Sequence, residues 1–479
     1  MEYICRVWGK QIKIIGWFLE MEKKKKSPRR LKFNTVQTVV IGFFGVILGG
    51  GILLSLPICN QKPIEFIDAL FTSVSSVCVT GLVTIVPAEQ FTLLGKIILL
   101  LLIQVGGLGV IACMSAFFLL LGKKINMKGR ITIQQAYGLD TLSGLVKFVI
   151  RILKGTFLVE GIGAVLFSLR FIPEFGFIKG VGYAIFHSVS AFCNAGIDIL
   201  GSTSFIQYSG SWLINFTTMF LIVMGGLGFP VWHDIAINIK KMTEIKKRPL
   251  KWLFTRLCLQ SKIVLTMTGL LILCGAVGFF LLEFNNPETM GDMNLLEKMT
   301  ASLFQSVTTR TAGFATVPQG DLRESSKLLG CMLMFIGGSP AGTAGGVKTT
   351  TIAMLLLTVL CVLKNKRDTE CFARKIDNNI VRSGITITMI TLIFLMSGIT
   401  ALTIFEPGID FLDLTYEAAS AMGTVGLTAD LTPILSRGSH VILMYVGRIG
   451  PLTMALALSG RSDKISKFRE LPEENVMLG

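Results

Sequence analysis

The amino-acid sequence predicts an all-α polytopic membrane protein assembled from four repeats, and three observations lead to this fold class. Hydrophobic residues make up 51% of the 479 residues, whereas charged residues make up only 16%. Apolar runs of about 20 residues, long enough to cross a bilayer as a helix, recur along the chain. A short motif that ends in glycine returns four times at nearly constant spacing, which indicates an internal repeat.

The repeated motif lies between a short apolar segment and a long one. Its copies end at Gly81, Gly196, Gly313 and Gly426, which are 115, 117 and 113 residues apart. Each preceding segment has about a dozen residues, too few for a helix that spans a bilayer. We therefore expect a half-inserted pore helix between two full spans in each copy. This gives four parallel helix–pore-helix–helix repeats around one pseudo-fourfold axis.

The repeats divide the chain into six parts. A basic segment at 1–34 is followed by repeats at 35–122, 123–241, 242–364 and 365–460 and by a tail at 461–479. Basic residues cluster in the loops between repeats, and acidic residues dominate the loops on the other side. The positive-inside rule therefore places both termini and the basic loops in the cytoplasm.

The same rule accounts for the net charge of +16, which in a soluble protein would suggest a nucleic-acid partner. We expect this chain to lie in the lipid bilayer and to bind no nucleic acid. The ten cysteines and three histidines are scattered, so we expect neither disulfides nor a histidine-based metal or catalytic site.

The repeated turns are nearly all uncharged, which points to recognition of an ion by backbone. They consist of Cys78, Val79, Thr80 and Gly81; Cys193, Asn194, Ala195 and Gly196; Thr311, Ala312 and Gly313; and Thr424, Val425 and Gly426. Non-helical backbone at membrane depth is tolerated only where it is buried in protein or lines a wet cavity. Four such turns can aim carbonyl oxygens at a shared axis, where they replace the hydration shell of an alkali cation. We therefore predict a selectivity filter in one pseudo-fourfold ion pore.

Arg310 departs from this pattern, because the matching positions hold Cys78, Cys193 and Gly423. A buried arginine beside a cation pathway would repel cations unless it is paired. We expect a structural salt bridge behind the filter.

The long segment after each motif is expected to form a second span, near 91–121, 211–239, 328–363 and 440–458. Each contains a glycine cluster, which helix packing explains in the first two copies. The third cluster holds five glycines and a proline and should interrupt its helix. Its members are Gly337, Gly338, Ser339, Pro340, Ala341, Gly342, Thr343, Ala344, Gly345 and Gly346. Lys348 and Thr349 follow as in a phosphate loop, but Val347 replaces the required glycine and no strand precedes, so a nucleotide site is rejected.

In the fourth copy Arg448 takes the position of a cluster glycine. An intramembrane arginine is a functional hypothesis by default. We expect its guanidinium to donate to carbonyls of the 337–346 loop, which would then act with Arg448 as a gate below the filter.

Two other functions are weighed against an ion pore. Glycine-broken helices also occur in alternating-access secondary transporters. The alternative function is therefore a secondary cation transporter that is coupled to sodium or carries sodium. Parallel fourfold repeats and the near absence of acids inside the spans, with Glu160 the chief candidate, oppose that alternative. A membrane enzyme is disfavoured because no nucleophile–base pair or metal cluster is evident.

Taken together, the motifs resemble those of the Trk/Ktr/HKT superfamily of potassium transport proteins, and are closest to the bacterial Ktr-system membrane subunit of the KtrB type. The resemblance covers about residues 35–479. It is carried by residues 77–81, 192–196, 309–314 and 423–427, and by the glycine-rich loop with Lys348, Thr349 and Thr350.

This resemblance implies potassium uptake across a bacterial plasma membrane through a channel-like subunit, with potassium as the only metal ion, held at the filter. It also implies a homodimer on a cytosolic ring of nucleotide-binding RCK-type subunits. We expect no covalently bound cofactor on this chain, and the resemblance assigns the nucleotide to the partner. Whether sodium activates transport is left open. In the plant relatives, serine at the first filter glycine goes with sodium transport.

Overall fold

The computed structural model describes residues 35–109, 113, 134, 144–244, 250–429, 437–450, 453 and 454. The basic N-terminal segment, the 461–479 tail and most of the loop after the first repeat therefore lie outside the described residues. The helices are α1 (Thr35–Ser55), α2 (Phe66–Cys78), α3 (Pro87–Gln90), α4 (Leu93–Leu108), α5 (Leu145–Phe175), α6 (Phe177–Cys193), α7 (Trp212–Gly226), α8 (Phe229–Glu244), α9 (Leu250–Arg256), α10 (Leu259–Glu283), α11 (Leu295–Thr308), α12 (Glu324–Phe335), α13 (Thr349–Leu363), α14 (Asn378–Phe405), α15 (Phe411–Gly423) and α16 (Arg437–Ile449). Two 3-10 turns (Pro57–Cys59 and Ile206–Tyr208) and a small antiparallel pair, β1 (Glu370–Cys371) with β2 (Arg374–Lys375), complete the described elements.

The first helix of each repeat is long and apolar enough to cross a membrane. The qualifying segments are Gln37–Ser55, Leu145–Phe175, Leu259–Glu283 and Asn378–Phe405. Their outward faces carry large apolar side chains: on α5, Leu158 and Val165 are each 64% exposed. Because such faces need lipid rather than water around them, this pattern confirms the predicted class of all-α polytopic membrane proteins.

The short helix before each glycine turn is buried along its inner half. The helices α2, α6, α11 and α15 contain 13, 17, 14 and 13 residues. At about 1.5 Å per residue, they reach only about 20–25 Å, less than the roughly 30 Å of a bilayer core. Each packs against the first helix of its own repeat. The expected half-inserted helices are therefore present as short, enclosed helices.

The second helix of each repeat ends at its glycine cluster. Helix α4 ends at Leu108, α7 at Gly226, α12 at Phe335 and α16 at Ile449. The expected single span at 211–239 is instead divided into α7 and α8, which are bent by 96°. Positive φ angles at Gly109 (+84°), Gly228 (+88°) and Gly450 (+94°) mark the breaks. Explaining the first two clusters by helix packing alone was therefore incomplete, because glycine is also needed where the backbone turns.

The second helices link the repeats in cyclic order. Helix α4 of repeat 1 packs against the short helix α6 of repeat 2, and α7 against α11 of repeat 3. Helix α12 packs in the same way against α15, and α16 closes the circle against α2. The four short helices consequently meet at the centre of the molecule.

Candidate functional site

A residue with left-handed backbone follows each short helix, two positions before the turn glycine. These residues are Val79 (φ 57°), Asn194 (φ 61°), Thr311 (φ 69°) and Thr424 (φ 52°). Three of them are β-branched, for which positive φ is a genuine outlier that costs about 1–3 kcal/mol. Strain repeated at four matched positions marks a conformation that the surrounding structure imposes, as at functional sites.

A side-chain hydroxyl from the short helix secures each turn. The four bonds are Gly81 N to Ser75 Oγ (3.0 Å), Gly426 N to Ser420 Oγ (3.0 Å), Ser190 Oγ to Ile197 O (2.7 Å) and Thr308 Oγ1 to Phe314 O (2.6 Å). In the sequence, three of these hydroxyls are serines six residues before a turn glycine, whereas Thr308 lies five residues before Gly313. Their role becomes visible once the turn brings the backbone back over the helix end.

The four turn glycines form a closed ring. A methyl group added to Gly81 would lie 2.5 Å from the carbonyl oxygen of Ala195, and one added to Gly196 would lie 2.5 Å from that of Ala312. In the same sense, a methyl group on Gly313 would strike Val425 O, and one on Gly426 would strike Thr80 O. Each repeat thus touches the next in the order 1-2-3-4-1, and no side chain can be accommodated at this level.

The carbonyl groups of this ring lack protein donors. Within the described residues, no hydrogen bond reaches the carbonyl oxygens of Thr80, Ala195, Ala312 or Val425, or those of the four glycines that follow them. The hydroxyls of Thr80 and Thr424 are also buried without a partner. Unpaired carbonyls in a buried ring require a compensating ligand, and a partly dehydrated cation is such a ligand. The structure therefore brings all the predicted filter residues together at one site.

Glycines of the second helices support the turns from below. Added methyl groups at Gly106, Gly225 and Gly447 would strike the carbonyl oxygens of Val77, Phe192 and Met422, each four residues before a turn glycine. This close approach explains why the clusters are needed for packing as well as for the helix breaks. In the third repeat, the equivalent Gly337 instead approaches Gly345 O of its own loop.

The 337–346 loop is irregular, as predicted, and is bonded to the end of α7. Ser339 N donates to Gly226 O (3.0 Å), and Thr343 N donates to Gly225 O (3.2 Å). A methyl group on Gly345 would strike the hydroxyl of Thr424, one of the turn residues. The loop therefore crosses from the second repeat to the fourth, directly beneath the ring.

Two basic side chains, Arg448 and Lys348, donate hydrogen bonds to this loop. Arg448 donates through Nη1 to Thr343 O, as expected, and through Nη2 to Gly106 O of the first repeat. Lys348 Nζ donates to Ala344 O (2.8 Å) and to Gly345 O (3.3 Å). The contact with Gly106 and the role of Lys348 were not predicted, because both depend on how distant segments meet.

The expected salt bridge of Arg310 is absent. Its side chain is buried, with 7% exposed, yet no carboxylate of the described residues lies within ion-pair distance. Its Nε also has no hydrogen-bond partner. The prediction of a structural salt bridge is therefore wrong for the part of the chain that the structure describes.

Glu160 is buried in α5 beside the second turn. Gln104 Nε2 donates to Glu160 Oε1 (3.0 Å), and Cys193 Sγ lies 4.0 Å from the same oxygen. The contacts join α4, α5 and the second turn behind the ring rather than on its axis. This position suits a structural role for Glu160, the chief acidic candidate for an alternating-access transporter.

The chain is similar to a known family of proteins along most of its length. The family model for TrkH, a cation transport protein, matches residues 9–468. The chain is 39% identical over 468 residues to the potassium/sodium uptake protein NtpJ of Enterococcus hirae, with 95% of this chain and 99% of the relative covered. It is 37% identical over 460 residues to the Ktr system potassium uptake protein B of Bacillus subtilis, with 95% of this chain and 99% of that protein covered.

A solved structure has the same fold. The crystal structure of the potassium transporter TrkH from Vibrio parahaemolyticus matches with a TM-score of 0.71 at 18% identity, covering 91% of this chain and 87% of that chain. The family and these relatives are ion transporters, which confirms the prediction that the chain is not an enzyme. With a family match along nearly its whole length, the chain belongs to the TrkH family of cation transport proteins.

Proposed function

We propose that this chain conducts potassium into a bacterial cell along the axis enclosed by the four glycine turns. The closed ring of Gly81, Gly196, Gly313 and Gly426, with its unpaired carbonyl oxygens, carries the proposal. Such oxygens can replace the hydration shell of an alkali cation, and neutral turns suit selection by carbonyl field strength or cavity size. The names of the relatives, which include potassium uptake proteins, favour potassium as the ion.

The 337–346 loop acts as the gate in this proposal. It lies beneath the ring and contacts the second and fourth repeats, and its carbonyls accept hydrogen bonds from Arg448 and Lys348. Of these two side chains, Arg448 places a positive charge close to the proposed path. At an effective dielectric of about 20, unit charges roughly 6 Å apart repel by about 3 kcal/mol, enough to hinder potassium entry about a hundredfold. Release of these contacts would remove both the charge and the obstruction.

The proposed assembly is a homodimer in the plasma membrane, with cytoplasmic termini, on a cytosolic RCK-type ring that binds the regulatory nucleotide. Basic residues near the ends of α8 and α13 supply a surface for such a partner, among them Lys241, Lys364 and Lys366. The positive-inside rule accounts for these charges without a partner, so the proposal rests mainly on the Ktr relatives.

Growth rescue tests the proposed function. A bacterium lacking its potassium uptake systems should grow in low potassium when it carries this chain, with or without an RCK-type partner. Gly196→Ser should abolish rescue, because the added side chain would collide with Ala312 O. The matched control is Gly161→Ser, since Gly161 has no atom within 4 Å of an added methyl group.

Two results would contradict the proposal. One is that the folded protein fails to restore growth both with and without the RCK-type partner. The other is that Gly196→Ser restores growth as well as Gly161→Ser does. A potassium flux in proteoliposomes that requires a sodium gradient would favour the sodium-coupled alternating-access alternative instead.

A further inference from the structure

The starting observation is the uncompensated charge of Arg310. This residue precedes the third glycine turn, and 7% of its surface is exposed. Burying an ion without a counter-charge costs several kcal/mol, and a guanidinium cannot avoid that cost by losing its proton. Since none of the described residues supplies a carboxylate, the charge requires compensation from another source.

Arg310 lines a small cavity behind the turn, between α7, α10 and the start of the 337–346 loop. Thr268, Gly226 and Gly338 also line it, with Ile222 and Ile272 among its apolar walls. The cavity has a volume of about 10 Å³, room for no more than one small species. The Thr268 hydroxyl, 6% exposed, is also buried without a hydrogen-bond partner. Two unpartnered polar groups that can donate therefore share one enclosed space.

We propose that Arg310 and Thr268 bind one small monovalent anion of the halide class, with chloride as the expected occupant. Among the described residues, the only charged one that lines the cavity is Arg310, a cation, which selects an anion and excludes a metal ion. The volume excludes phosphate groups and lipid headgroups. Water would satisfy the hydroxyl but would leave the guanidinium charge in place.

The anion explains how a charged residue is tolerated at one turn of four. The matching positions hold Cys78, Cys193 and Gly423, so a bare Arg310 would make the ring electrostatically uneven. A bound anion neutralises that charge locally. Binding itself does not depend on the conduction proposal, because it is measured on the purified protein without ion flux.

Thermal unfolding of the purified full chain in detergent tests the proposal. Potassium is held constant while gluconate, which is too large for the cavity, is replaced by chloride or bromide. The unfolding temperature should rise saturably by about 2 °C or more at a hundredfold excess over Kd. Arg310→Gln should abolish this rise, and Thr268→Val should weaken it. Arg170→Gln is the matched control, because Arg170 is 54% exposed and should leave the halide effect intact.

Bromide diffraction supplies a second readout that does not require a variant. An anomalous peak should appear beside Arg310 and Thr268 in wild-type crystals grown in bromide. If Arg310→Gln fails to fold, this peak and the Thr268→Val titration decide the question. The proposal is overturned if the cavity shows no bromide peak, or if the halide effect is absent from the wild type or persists undiminished in either cavity variant.

Discussion

The glycine ring yields the sharpest prediction, which concerns Gly81→Ser. The new Cβ would lie 2.5 Å from Ala195 O, about 0.5 Å inside the closest approach that real Cβ atoms make. Gly81 also has φ +98°, a conformation that costs an L-residue about 1–3 kcal/mol. Relief of the collision requires the Ala195 carbonyl to move from its place in the ring. If about 1.4 kcal/mol of the preference for potassium is lost, discrimination against sodium falls about tenfold.

The assay is the reversal potential in mixed potassium and sodium, measured on reconstituted protein. Gly144→Ser is the matched control, because Gly144 also has positive φ (+75°) but an added methyl group there meets nothing within 4 Å. The control separates backbone strain from displacement of the carbonyl. Unchanged selectivity in folded Gly81→Ser would refute Gly81 as a filter residue, and equal loss in Gly144→Ser would refute the carbonyl argument.

Three further substitutions and one deletion probe the turn support and the loop. Ser420→Ala removes the acceptor of the Gly426 amide, so it should lower the free energy of unfolding by about 1–3 kcal/mol, measured by denaturant titration. Arg448→Ala removes the donor to Thr343 O and should raise potassium influx per folded molecule while selectivity is largely kept, as should partial deletion of the loop. Lys348→Met should also raise influx, by a smaller factor, because the Arg448 contacts remain.

Ser420→Ala and Arg448→Ala each have a control and a contrary outcome. Ser397→Ala removes an exposed hydroxyl that bonds within its own helix, so a stability loss equal to that of Ser420→Ala would refute the turn argument. Arg382→Ala removes an exposed arginine distant from the loop in sequence and should leave influx unchanged. Influx per molecule that stays level or falls in Arg448→Ala and in the loop deletion would show that the loop is not the gate.

Much of this protein follows from local sequence. A run of about 20 apolar residues predicts a helix that spans the membrane, and a run of about a dozen predicts a helix that is too short to span it. The thickness of the bilayer fixes the required length. The turn residues could be located because the repeat at Gly81, Gly196, Gly313 and Gly426 is periodic along the chain. The interruption of the third repeat could also be predicted, because glycine and proline act through their own backbone.

The tertiary structure decided what depends on residues far apart in the chain. The turns contact one another in a cycle, and Arg448 contacts Gly106; both contacts join segments more than a hundred residues apart. The lack of a carboxylate near Arg310 depends on the whole described chain. Positive φ at Val79 and Thr424 is the clearest case, because β-branched residues disfavour it locally and only the surrounding packing imposes it. The sequence by itself determined which segments are apolar enough to enter the membrane and where the four glycine turns lie. The direction of each carbonyl and the partners of each buried charge depend on packing between repeats, which local preferences do not encode.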